Sequence, residues 1–141
     1  MRRQIWGVGL AWTVVLVAGA APPEGERGET ESEVVVVEMV DVSPTQFVFE
    51  PSEIEVAPGD RVRFVQKGQM PHNVEFKNTP DGADLGDARM GPFLTTKDQT
   101  YEIVVDGRFR AGTYEFVCTP HEALGMTGTL TVAGAAGKEG A

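Results

Sequence analysis

The residues best suited to chemistry in this sequence lie in one short segment near its C-terminal end. Cys118, the only cysteine, is followed three positions later by His121 and eight positions later by Met126. The only other histidine, His72, precedes the cysteine by 46 positions. A thiolate, two imidazoles and a thioether suit copper, which takes two His and one Cys in a plane and a weak axial Met. These residue types and spacings predict a copper site formed by the four residues.

The elements on either side of Cys118 explain how these side chains could meet. Tyr114, Phe116 and Cys118 alternate along a predicted strand, so they share one face and the thiol points to the end of the core. Residues 119–126 then form a bent loop that contains Pro120 and a glycine, which can turn His121 and Met126 back toward the thiol. A strand at 127–132 holds the far end of this loop.

Three other interpretations of the same residues remain open at this point. A buried cysteine is most often an inert, small hydrophobic residue, although its coincidence with both histidines argues against that. A zinc site would need a fourth ligand other than thioether, and Glu122 is the nearest candidate. A cysteine nucleophile paired with His72 is disfavoured, because no helix N-terminus precedes Cys118 to lower its pKa.

The rest of the chain reads as an all-β sandwich or barrel of seven or eight strands. Short apolar runs alternate with polar residues and are separated by turn signals such as Pro58-Gly59. Strands are predicted at 34–37, 53–56, 61–65, 72–76, 100–105, 113–118 and 127–132. Met39, Met70 and Met90 are interpreted as packing residues. An immunoglobulin-type sandwich is disfavoured, because its cysteine pair and core tryptophan are absent from 34–132.

The ends of the sequence predict export and a short acidic connection. Residues 1–20 carry two arginines, then an apolar run and a small-x-small pattern, which is typical of a cleaved signal peptide. An uncleaved membrane anchor is the alternative, since the apolar run is near the lower limit for a span. Residues 21–33 are predicted to be a disordered acidic linker, 34–132 the folded domain and 133–141 a flexible tail.

The charge of the chain limits its partners. The formal net charge is −9, and both arginines of the predicted signal are lost on cleavage, leaving about −11. A surface of this sign repels the phosphate backbone, so nucleic acid is not an expected partner. A basic protein partner, or solubility outside the cytoplasm, fits better.

Three segments of the sequence resemble the cupredoxins, the small blue copper proteins, and among them the plastocyanin and pseudoazurin group. They are APGD at 57–60, MPHNV at 70–74 and YEFVCTPHEALGMTG at 114–128. The resemblance covers 34–132 and implies a Greek-key β-sandwich or barrel. It also implies a monomer that shuttles one electron between redox proteins and is not an enzyme, and the signal-like residues 1–20 place it in the periplasm or elsewhere outside the cytoplasm. A carrier that delivers copper rather than electrons is the alternative.

The resemblance also implies a role for individual residues. His72, Cys118 and His121 would be the equatorial copper ligands and Met126 the axial ligand. Asn73 would hydrogen-bond to the loop of Cys118 and direct its backbone N–H toward the sulfur. The electron would pass through His121 and an apolar patch formed by Met70, Pro71, Pro120, Ala123 and Leu124.

Overall fold

A computed structural model describes residues 31–134 of the chain, which form strands and two short 3₁₀ turns. The turns span Gly86–Arg89 and Thr119–Leu124. The strands are β1 (Val34–Ser43), β2 (Gln46–Glu50), β3 (Glu53–Val56), β4 (Arg61–Gln66), β5 (Glu75–Phe76), β6 (Thr100–Val104), β7 (Gly112–Val117) and β8 (Thr127–Val132). The predicted all-β class is confirmed, with eight strands within residues 31–134.

The strands form two four-stranded sheets that pack as a sandwich. The order in the first sheet is β2-β1-β4-β6, with β1 and β4 parallel and the other pairs antiparallel. The order in the second is β3-β8-β7-β5, with β3 and β8 parallel. Most strands alternate between buried and more exposed residues, as in β4, because one face of each sheet covers the core.

Phe116 on β7 lies at the centre of the core and joins the two sheets. Its ring centroid is 4.9 Å from that of Phe49 and 5.5 Å from that of Phe64, both on the first sheet. Gly128, its partner on β8, has no room for a side chain, since a Cβ there would lie 2.4 Å from the Phe116 ring. This packing fixes β7 and β8, the two strands that flank the loop of Cys118.

Three strands differ from those expected from the sequence. β1 continues to Ser43 instead of ending at residue 37. β2 was missed, although Phe47 and Phe49 are buried and alternate with polar or half-buried neighbours. The strand expected at 72–76 is reduced to β5, because the backbone of His72 pairs with Leu94 instead of continuing the sheet. The predicted turn at Pro58-Gly59 is confirmed, and Gly59 has a φ of 98°.

The predicted signal peptide and most of the predicted linker and tail lie outside the described residues. Within 31–134, none of the helical segments has the length and hydropathy needed to cross a membrane.

Candidate metal centre

The loop after β7 is held in a closed shape by its own backbone. The N–H of Cys118 donates to the carbonyl of Met126 at 3.0 Å, and the N–H of Met126 donates to the carbonyl of His121 at 3.2 Å. Gly125 ends the 3₁₀ turn with a φ of 86°, a left-handed conformation that glycine adopts without strain. Cys118 and Met126 are therefore held at the two ends of the loop, and both are fully buried.

The segment that carries His72 is held by the buried side chain of Gln66, at the end of β4. The Nε2 group of Gln66 donates to the carbonyls of Met70 and Leu94 at 2.7 and 2.9 Å, and its Oε1 accepts from the N–H of Gly68. The backbone of His72 exchanges two hydrogen bonds with Leu94. These contacts fix a segment that lies outside the regular sheet.

Three donor atoms converge where the two segments meet. The Nδ1 atoms of His72 and His121 are 3.1 Å apart, and the Sγ of Cys118 lies 3.6 and 3.5 Å from them. A point equidistant from all three lies about 2.0 Å from each, close to the ~2.0–2.3 Å bonds that imidazole and thiolate form with zinc. His72, Cys118 and His121 are thus placed to bind a metal ion. Among residues 31–134 they are the only group of three or more His, Cys, Asp or Glu so arranged.

The protonation of these groups follows from their burial. Burial raises the pKa of the Cys118 thiol, although backbone N–H groups of Asn73 and His121 partly oppose the shift. Burial and the neighbouring ring of His72 lower the pKa of His121. His121 therefore favours the neutral imidazole that a metal requires, whereas Cys118 must lose its proton when metal binds.

Asn73 connects the two segments, as expected from the resemblance. Its Oδ1 accepts from the N–H of Thr119 at 2.8 Å, and its Nδ2 donates to the Thr119 hydroxyl at 2.9 Å. Its backbone N–H also opposes the rise in the pKa of the Cys118 thiol that burial causes. The two hydrogen bonds between Asn73 and Thr119 hold the loop of Cys118 against the segment of His72.

Two residues that contact the histidines were not identified from the sequence. Asp41, on β1, places Oδ1 2.6 Å from Nε2 of His72. Burial alone would raise the pKa of Asp41, but hydrogen bonds from the Met70 N–H, from His72 and from the Gln69 N–H lower it, so this carboxyl is ionised at neutral pH. Phe47, on β2, stacks on the ring of His121 at a centroid distance of 3.9 Å. The alternation of Phe47 with Phe49 was the one sequence signal for this contact.

His121 is the only one of the four candidate ligands with measurable exposure, at 7 %. The five residues of the predicted apolar patch are all exposed, with Met70 at 47 % and Leu124 at 51 %. The interpretation of Met70 and Met90 as packing residues was wrong, because both are half exposed, whereas Met39 is fully buried in the core.

Glu122 does not join the cluster. Its carboxylate pairs with Lys77 at 2.8 Å, and both side chains are exposed. Glu122, the candidate for the fourth ligand of a zinc site, is therefore occupied by an ion pair with Lys77.

Replacing Gln66 by leucine is expected to destabilise the protein by about 1–3 kcal/mol, because it removes three hydrogen bonds made by a fully buried side chain. Urea unfolding of the metal-free protein measures this loss. The same substitution at Gln46, an exposed position of β2, is the control and should change the free energy of unfolding by less than about 0.5 kcal/mol. Equal effects of the two substitutions would contradict the role given to Gln66.

Comparison with known proteins agrees with this geometry. Residues 36–133 match the family described as "Copper binding proteins, plastocyanin/azurin family". The plastocyanin of Scenedesmus fuscus is 36 % identical over 87 residues, which cover 60 % of this chain and 86 % of the relative.

Solved structures give the same result. The oxidised plastocyanin of Dryopteris crassirhizoma is 35 % identical, with a TM-score of 0.59, and the match covers 70 % of this chain and all of that one. The pseudoazurin of Methylobacterium extorquens AM1 is 31 % identical, with a TM-score of 0.52, and the match covers 72 % of this chain and 76 % of that one.

Proposed function

Because this chain belongs to the plastocyanin/azurin family of copper-binding proteins, we propose that it is a type 1 copper protein that carries single electrons between redox proteins outside the cytoplasm. Proteins of this family act in electron transfer and exchange electrons with partner proteins. We assign His72, Cys118 and His121 as the equatorial ligands and Met126 as the axial ligand. The extracytoplasmic location is supported by the signal-like pattern of residues 1–20.

The observation that carries this proposal is the convergence of two imidazole nitrogens and one cysteine sulfur at a buried point. When bound there, copper would supply a Cu(II)/Cu(I) couple, whose two states differ by one electron. The residues of the chain exclude water from this point and hold the donors in place through the closed loop of Cys118 and the Asn73–Thr119 pair. Ligands that are preorganised in this way move little between the two oxidation states, which favours fast electron transfer.

His121 is the expected route of the electron. His72, Cys118 and Met126 are fully buried, whereas His121 is 7 % exposed, and we infer that the predicted apolar patch surrounds it. An apolar rim lets a partner exclude water there and approach the ring closely. The four assigned ligands are all side chains of this protein, and none is a substrate. We therefore propose an electron carrier and not an enzyme. We also propose a monomer, with a membrane tether only where the N-terminal segment stays uncleaved.

Electron self-exchange and copper release distinguish this function from copper delivery. We expect the copper-loaded protein to exchange electrons rapidly between its oxidised and reduced forms, measured by NMR line broadening, and to lose copper slowly to a chelator. The release should be slow because the ligands are buried and two strands hold their loop, so solvent and chelator reach the copper poorly. Rapid copper release with slow self-exchange would contradict electron transfer and favour a copper carrier.

A pair of matched variants tests the surface in the same experiment. Leu124→Lys adds a positive charge to the surface through which two molecules are proposed to meet. The two like charges repel each other, so the rate of electron self-exchange should fall. Val104→Lys, at an exposed position of β6 that pairs with the start of β4, should leave the rate unchanged. Equal rates in the two variants would contradict the exit of the electron at His121.

A further inference from the structure

Asp41 occupies a special position on β1. The pairing of β1 with β2 shifts register between Asp41 and Ser43, at the end of the sandwich where the donor atoms converge. Oδ1 of Asp41 lies 2.6 Å from Nε2 of His72, while Nδ1 of the same ring faces Cys118 and His121. The carboxylate therefore contacts the edge of the imidazole that is turned away from the metal centre.

Both oxygens of this carboxylate are held in place. Oδ2 accepts from the N–H groups of Gln69 and Met70 at 2.7 and 3.0 Å. Gly68 lies so close that a Cβ there would be 2.0 Å from Oδ1, so only glycine leaves room for the carboxylate. The segment that leads to His72 is thus built around the side chain of Asp41.

This contact matches the form of the imidazole that a metal requires. Nδ1 of His72 faces the donor cluster, so a metal there would be bound through Nδ1 and the ring would carry its proton on Nε2. Oδ1 of Asp41, 2.6 Å from Nε2, would then accept a hydrogen bond from this proton. His72 is fully buried, so Asp41 is the group that holds this edge of the ring.

We propose that Asp41 is a positioning residue that orients His72 for copper and lowers the reduction potential of the site. A carboxylate on the far nitrogen of a ligating histidine fixes the ring and makes it a stronger donor. The stronger donor and the added negative charge both stabilise Cu(II) more than Cu(I). The side chain of Asp41 is 19 % exposed, so solvent screens this charge only in part. The proposal rests on the assigned copper site and concerns how that site is tuned.

Asp41→Asn tests the proposal. The amide is neutral, and it cannot accept from His72 and from both backbone N–H groups at once. We expect the affinity for Cu(II), relative to Cu(I), to fall at least tenfold. For a one-electron couple, that fall raises the reduction potential by about 59 mV or more, which voltammetry measures directly.

Asp98→Asn is the matched control. It makes the same chemical change at a carboxylate that pairs with Lys67, and it is expected to leave the potential unchanged. Asp41→Asn could keep the blue absorption and yet show the same reduction potential as the control, or a lower one. That result would overturn the role of Asp41 but not the proposed function. Failure of the unmodified protein to form a blue site would instead overturn the proposed function.

A measurement on the unmodified protein covers the case in which the variant does not fold. In the diamagnetic Cu(I) form, NMR should detect the Nε2 proton of His72 and show that it exchanges with solvent more slowly than the ring proton of His121. Exchange of the His72 proton as fast as that of His121 would overturn the proposal.

Discussion

Replacing Cys118 by alanine is expected to abolish the intense visible absorption of the copper-loaded protein. That absorption arises when charge moves from the thiolate sulfur to Cu(II), and Cys118 is the only cysteine in the chain. Its Sγ lies 3.6 and 3.5 Å from the two Nδ1 atoms, so its loss removes one corner of the donor triangle. Titration of the variant with Cu(II), followed by visible absorption, measures the effect.

Val117→Ala provides the control for this substitution. Val117 is the last residue of β7 and is also fully buried, but it carries no metal-binding group. Truncating it disturbs packing next to Cys118 and should leave the absorption in place. An unchanged spectrum in Cys118→Ala, or equal losses in the two variants, would contradict the assignment of Cys118 as ligand.

Replacing Met126 by glutamine is expected to keep the blue site and lower its reduction potential. The amide oxygen is a harder donor than the thioether sulfur and favours Cu(II) over Cu(I). A tenfold or larger change in this preference lowers the potential by about 59 mV or more. Met126 is fully buried and is fixed by backbone hydrogen bonds to Cys118 and His121, so the substituted side chain starts from the same place.

The same substitution at Met90 is the control for Met126. Met90 is half exposed and bridges to the backbone of Glu75. Voltammetry of Met90→Gln should give the potential of the unmodified protein. A potential of Met126→Gln that is unchanged or higher would contradict the role of Met126 as axial ligand.

The convergence of His72, Cys118 and His121 was predictable because copper restricts both residue type and local spacing. Cys118 and His121 lie on one loop, and the alternation of Tyr114, Phe116 and Cys118 predicts the direction of the thiol. The structure agrees, since all three alternating side chains are fully buried. The all-β class followed from equally local patterns.

The residues that support the histidines were not predictable in the same way. Asp41 and His72 are separated by 31 positions, and they meet only because β1 and β4 pair in parallel. Nothing in the composition of β1 distinguishes this aspartate from a solvent-exposed one. Gln66 likewise acts through carbonyl groups of Met70 and Leu94, whose positions depend on the folded loops.

The exposed methionines show a different limit. Met70 and Met90 were interpreted as packing residues because methionine is usually buried, yet both lie half exposed. Their exposure depends on where the segments 68–72 and 90–94 cross the surface, which alternation along a strand does not specify. Met70 is therefore a surface residue, as the predicted apolar patch requires, rather than part of the core.

The visible and EPR spectra of the copper-loaded protein test the type 1 copper site most directly. We expect one equivalent of Cu(II) to give an intense blue absorption and a small copper hyperfine splitting, because the unpaired electron is shared with the sulfur of Cys118. A colourless or weakly coloured protein with the large hyperfine splitting of Cu(II) bound by nitrogen and oxygen alone would contradict the account.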